Sequence, residues 1–229
     1  MPEIFDDTLG TIIVQRSARA KQIKIRVTPD GKLKASVPMY TPLFMVKRVV
    51  KTSHKSIQQL LDSSQPKLEL ENGQRIGKSH SLIVDTGPGL KIARVGQHIR
   101  LSLPADTDLN NPSVHKALRP VMVQALRKEA KSYLPRRLKF IADNHGLSYS
   151  SVRFSHASSR WGSCSSNGTI SLNIALMKLS FELIDYVLIH ELSHTVHMNH
   201  SQEFWRLVET IDPSYKAHRK LIKQETPSI

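Results

Sequence analysis

Between residues 23 and 27 apolar and basic residues alternate strictly (Ile23, Lys24, Ile25, Arg26, Val27), the period of a half-buried strand. Thr28-Pro29-Asp30-Gly31 reads as a turn, and residues 33–37 return as the second arm of a hairpin. Thr41-Pro42 supplies an N-cap and a first helical residue. Apolar positions at Val46, Val49, Val50, Ile57, Leu60 and Leu61 then predict a helix to about Asp62. Three more strands are expected at 82–84, 90–95 and 99–103, separated by glycine-containing turns.

The stretch 104–112 is polar, rich in Asp and Asn, and predicts a boundary between a first part, residues 1–104, and a second, residues 105–229. Asn111-Pro112 caps a long helical pattern that runs to the stop at Asn144-His145-Gly146. Pro120 and Pro135 inside it are expected to kink or divide that helix. A strand follows at 152–157, then a Ser166-Asn167-Gly168 turn into a strand at 169–173. Ser180 is an N-cap for a helix carrying Glu182 in its first turn and Ile184, Val187 and Leu188 on its apolar side. Two helices, 202–211 and 215–223, are separated at Asp212-Pro213.

Charge divides the chain in the same way. The net formal charge is +14, and residues 1–150 hold 25 Lys/Arg against 12 Asp/Glu, while residues 151–200 hold three of each. Four of the 11 histidines fall between 190 and 200. A basic first part and a neutral, histidine-dense second part are therefore expected to do different things. No apolar run approaches the roughly 18 residues of a membrane-spanning helix, so no membrane partner is expected. The lone Cys164 excludes an intrachain disulfide and favours a reducing compartment, and the acidic N-terminus shows no secretory h-region. Cytoplasmic localisation is the expectation.

The segment His190-Glu191-Leu192-Ser193-His194 is an H-E-x-x-H motif on a predicted helix. Residues four apart differ by about 40° around a helix and about 6 Å along it, so two imidazoles on one face can grip one zinc ion. Glu191 stands beside that face, placed to take the proton of a metal-activated water and return it to a leaving amine. A third ligand on the same straight helix would lie about 10 Å from His190, so the chain must turn back before supplying it. Met198-Asn199 offers such a turn, since Asn tolerates the left-handed region, and His200 is the better third ligand. His197 reads as a turn or outer-shell residue, and Glu203 as a weaker alternative ligand.

Arg160-Trp161-Gly162-Ser163-Cys164-Ser165, Gly168-Thr169-Ile170, Leu172-Asn173, Ile184-Asp185-Tyr186-Val187, the H-E-x-x-H segment, and Met198-Asn199-His200-Ser201 with Phe204-Trp205 together resemble the YgjP-like family. These are zinc metallopeptidases related to the SprT and WLM proteases. The resemblance implies a zincin-like domain with zinc on His190, His194 and His200 and with Glu191 catalytic. The same spacing also fits the metzincin pattern, with His197 in place of its glycine. That pattern needs a downstream methionine turn, and no methionine follows His200.

Several nearby residues have a plainer expected role. Trp161, Phe204 and Trp205 read as core, Cys164 as a small buried thiol, and Ser163 and Ser165 as hairpin residues. Residues 160–165 are a candidate wall strand for an extended substrate, with Arg160 near the site. In the first part, Arg16, Arg19, Lys21, Lys24, Arg26, Lys32 and Lys34 surround the hairpin, and such a face suits phosphate contacts. Aromatic residues for base stacking are missing there.

The expectation is thus an α+β protein: a basic β-rich module followed by a zincin-like domain that hydrolyses peptide bonds with Zn2+. Its partners would be peptide or protein substrates, with nucleic acid reached through the basic module and DNA-associated proteins as one substrate class. The alternatives are a DNA-binding module with a structural or vestigial metal site, and a zinc hydrolase of a non-peptide amide.

Overall fold

The computed structural model describes residues 2–6, 8–28, 33–58 and 70–229. The chain forms two compact units, Met1–Lys67 and Leu68–Ile229. The contacts thus divide the chain after Lys67, where the sequence pattern suggested Pro104. The reason is apolar packing: Leu82, Ile99, Leu101 and Leu103 share one core with Val114, Leu118 and Leu126 of the following helix.

The first unit holds β1 (Glu3–Asp6), β2 (Gly10–Arg16), β3 (Lys24–Val27), β4 (Leu33–Val37) and the helix α1 (Leu43–Thr52). The sheet order is β1-β2-β4-β3, with β2 parallel to β4 and the expected β3–β4 pair antiparallel. Ile12, Val14, Leu33, Ala35 and Val37 are buried in one cluster with Val46, Val50 and Ile57, so the alternating residues face away from this core. The helix begins at Leu43, with Pro42 rather than Thr41 at the N-cap. Residues 54–58 are also helical. The turn residues 29–32 and the predicted helix end at 59–62 lie outside the described residues.

The second unit contains β5 (Ser81–Thr86), β6 (Lys91–Val95) and β7 (His98–Leu103), ordered β5-β7-β6. Next come α2 (Pro112–Asn144), β8 (Ser151–Ser155), β9 (Gly162–Cys164), β10 (Thr169–Asn173), a short 3-10 helix (Ile174–Lys178), and the helices α3 (Phe181–Ser193), α4 (Gln202–Ile211) and α5 (Tyr215–Ile222). Strand β10 is central, parallel to β8 and antiparallel to β9, which forms an edge. Among the described residues no helix is long and apolar enough to cross a membrane.

Helix α2 is one element, with both Pro120 and Pro135 inside it. Each proline removes one backbone donor, but Val114, Leu118, Met122, Leu126, Leu134 and Leu138 bury one side along its whole length. Tertiary packing therefore outweighs the local penalty, which the sequence pattern alone priced too highly. Glu129 is buried on that same side. Its carboxylate accepts from the backbone N–H of Lys78 (2.6 Å), Ser79 (3.0 Å) and His80 (3.0 Å), and it pairs with His80 Nδ1 at 2.5 Å. Lys78 Nζ in turn donates to the Leu179 carbonyl, just before α3.

Candidate metal centre

Helix α3 passes through the core of the second unit. Leu183, Ile184, Val187, Leu188 and Leu192 are buried, and Arg137 of α2 fixes Asp185 through two hydrogen bonds of 2.8 and 2.6 Å. The helix ends at Ser193, earlier than a continuous H-E-x-x-H helix would. Ser193 Oγ donates to the Ile189 carbonyl and Thr195 Oγ1 to the Leu192 carbonyl, each at 2.8 Å, so hydroxyls take up the last-turn acceptors. The chain then turns with His197 N–H donating to the Ser193 carbonyl at 2.9 Å. Asn199 is not left-handed as expected: among the described residues only glycines have positive φ. Ser201 caps α4, its side chain accepting from Phe204 N–H.

This turn brings His200 back to His190 and His194, and one ring nitrogen from each lies within 4.8 Å of the others. The Nε2 atoms of His190 and His200 are 3.1 Å apart. The His197 carbonyl can only accept, so His194 Nδ1, 3.0 Å away, carries the proton and leaves Nε2 free. His197 therefore acts here through its backbone. Phe204, fully buried, packs on all three imidazoles with centroid distances of 5.0, 4.5 and 4.9 Å to His190, His194 and His200. Trp205 stacks on His200 at 5.6 Å, and the Arg219 guanidinium lies over the Trp205 ring, 4.4 Å from its centroid.

Burial, helped by His194 and His200, pushes His190 down to about 3, so its imidazole is neutral at ordinary pH. Burial likewise lowers His200, with His194 and Arg219 adding to it. At 3.1 Å the two ring nitrogens are close enough to share one N–H or to hold a common cation. Ligands at about 2.0–2.1 Å in a tetrahedron stand about 3.4 Å apart, so the imidazole set fits a zinc-sized ion.

Glu191 is buried, and its Oε2 has no hydrogen-bond partner among the described residues. Burial pushes its carboxyl up to about 8, with Arg160 opposing. Strand β9 covers it: Gly162 lies against the Glu191 side chain, with no room for a Cβ between them. Asn173 holds the approach to β9, donating to the carbonyls of Ala157 and Arg160 and accepting from Ala175 N–H at 3.0 Å. Burial, then Glu191, raises the Cys164 thiol, which keeps it protonated.

A model of the YgjP-like metallopeptidase domain matches residues 21–225. The chain belongs to the YgjP-like family. It is therefore a metal-dependent peptidase, with peptide or protein substrates. Among solved structures, the crystal structure of the metallopeptidase zymogen of Pyrococcus abyssi abylysin is similar at 31% identity and a TM-score of 0.37, covering 39% of this chain and 91% of that one. No curated protein matches.

Within this YgjP-like chain the sequence-derived histidines 190, 194 and 200 come together. Glu203 is exposed and outside that cluster. Trp161 packs partly buried against the core, as expected. Two features escaped the sequence reading. Phe204 is core, but it is also the floor under every imidazole. Gly162 makes room for Glu191, and the signal was a glycine inside a short strand beside a buried helix.

Proposed function

We propose that this metallopeptidase binds one zinc ion on His190, His194 and His200 and hydrolyses peptide bonds with Glu191 as general base. The observation that carries the reading is the buried Glu191 side chain, with an oxygen that has no hydrogen-bond partner among the described residues, next in sequence to His190 of the three converged imidazoles. A zinc ion there supplies Lewis-acid activation of water and carbonyl. His194 is held for its part by the His197 carbonyl, and His190 and His200 by Phe204. Glu191 takes the proton of the attacking water and returns it to the leaving amine; its raised proton affinity suits both steps. The outer edge of β9 offers unpaired backbone groups to an extended substrate, which would lie as an added antiparallel strand in a zincin-like arrangement.

On this reading the second unit carries catalysis and the basic first unit carries delivery, with DNA-associated proteins as a substrate class. The lone Cys164, with no second cysteine to pair with, suits a reducing, cytoplasmic setting. The deciding experiment is Glu191→Gln. Casein cleavage should fall by about 10²–10⁴-fold while zinc stays near one per chain. Full activity with zinc bound would refute the assignment.

A further inference from the structure

The face of the first unit's sheet turned away from α1 is basic and concave. Register places Gln15, Ser36 and Lys24 side by side across β2, β4 and β3, and Lys34 beside Arg26 in the next row. These residues alternate with the buried Val14, Ala35 and Val37, so they share the face turned away from α1. The loop between β2 and β3 rims this face with Arg19 and Lys21, and the concavity it encloses has a volume of about 620 Å³. Four cations line it, Arg19, Lys21, Lys24 and Arg26, with Gln15, Ser17, Gln22 and Ser36 between them and, among the described residues, no acidic one. Among the described residues none of those cations forms an ion pair, whereas Asp6, on β1 at the opposite edge of the sheet, is engaged by His54 and Thr8.

We propose that this groove binds the sugar–phosphate backbone of a nucleic-acid strand without regard to sequence. Lys24 and Arg26 stand two residues apart on one strand, about 6.7 Å, a spacing comparable to that of successive phosphates along a strand. The neutral amides and hydroxyls between the cations can bond phosphate and sugar oxygens. No aromatic residue lines the groove, so bases are not read by stacking. An acidic peptide fits less well. The groove lies on the sheet's face, where a peptide finds no unpaired backbone groups, and its lining has no apolar pocket for side chains. Binding in the groove stands apart from the peptidase reading; only its role in delivering the enzyme to substrate rests on that reading.

The test is fluorescence anisotropy of the full chain with a short labelled single-stranded DNA of two unrelated sequences, across a salt series. Four phosphate contacts predict a slope of log K against log salt of about −3, alike for both sequences. A quadruple variant, Arg19→Gln/Lys21→Gln/Lys24→Gln/Arg26→Gln, should bind at least about tenfold more weakly and with a slope near zero. A variant of equal net charge with Lys128, Lys131, Lys220 and Lys223, all exposed in the second unit, changed to Gln should bind within about threefold of the wild type. Equal weakening in the two variants would overturn the proposal, as would displacement by poly-glutamate as readily as by DNA, or no binding at low salt. Hydrolysis of an unstructured peptide should be the same in the wild type and in both variants. An inactive wild type that still binds DNA through the groove would overturn the peptidase reading alone.

Discussion

A Cβ added to Gly162 would stand 2.6 Å from Glu191 Oε1 and 2.7 Å from its Cγ. Real Cβ contacts do not come this close, so the strand and the carboxylate share a fit that only glycine permits. Gly162 is thereby a positioning residue, since it determines where the Glu191 carboxylate rests.

Gly162→Ala should move the Glu191 side chain and leave the three imidazoles in place. We expect kcat for peptide hydrolysis to fall by about 100-fold, towards the Glu191→Gln level, with zinc content unchanged and KM altered far less. Parallel metal analysis and steady-state kinetics check this. A kcat within about twofold of wild type would mean that the backbone yields instead.

Much of this site was legible in the sequence because its chemistry is local. His190 and His194 follow from helical spacing, and His200 from the need to turn back. The turn itself was not legible in detail. At the helix end the Ser193 and Thr195 hydroxyls bond carbonyls of the last turn, and these bonds depend on rotamers that no pattern displays. The basic hairpin was read from alternation, but β1 and the parallel β2–β4 pairing were not, since pairing across intervening chain leaves no periodic trace. The prolines of helix α2 were expected to kink or divide it; the division does not occur, because propensity is local whereas the packing that keeps the helix one element is not.

His197 and His200 separate backbone from side-chain roles. His200→Ala removes a ring nitrogen from the cluster and should weaken zinc binding by more than the roughly 10–100-fold seen for outer-shell losses. His197→Ala keeps the carbonyl that orients His194, and should leave zinc affinity within about threefold. Competition against a chromogenic chelator measures both, and equal losses would count against the assignment of His200.

Phe204 supports three imidazoles and is fully buried in the core. Phe204→Ala should cost about 3–5 kcal/mol of stability, read as a lowered denaturant midpoint. Phe204→Leu keeps most of the volume, so it should fold well yet bind zinc more weakly, because the flat surface under His194 is gone. Unchanged zinc affinity in the leucine variant would reduce Phe204 to a packing role.

Glu129 predicts an acid limit to stability. Burial alone would raise its carboxyl, but the hydrogen bonds from His80, Lys78 and Ser79 together hold it below the usual carboxylate range. A carboxyl whose folded value is depressed stabilises the fold above its unfolded value, and that contribution is lost as pH falls through the lower, folded one. The loss therefore falls below about pH 4.3. Glu129→Gln keeps an acceptor oxygen but no charge, and should cost about 3 kcal/mol at neutral pH. Its stability should then decline less steeply than that of the wild type between neutrality and acid, so the two curves converge. The pair to compare is urea midpoints of both proteins across that range. Parallel curves would mean that the backbone donors of residues 78–80 do not depend on the charge of Glu129.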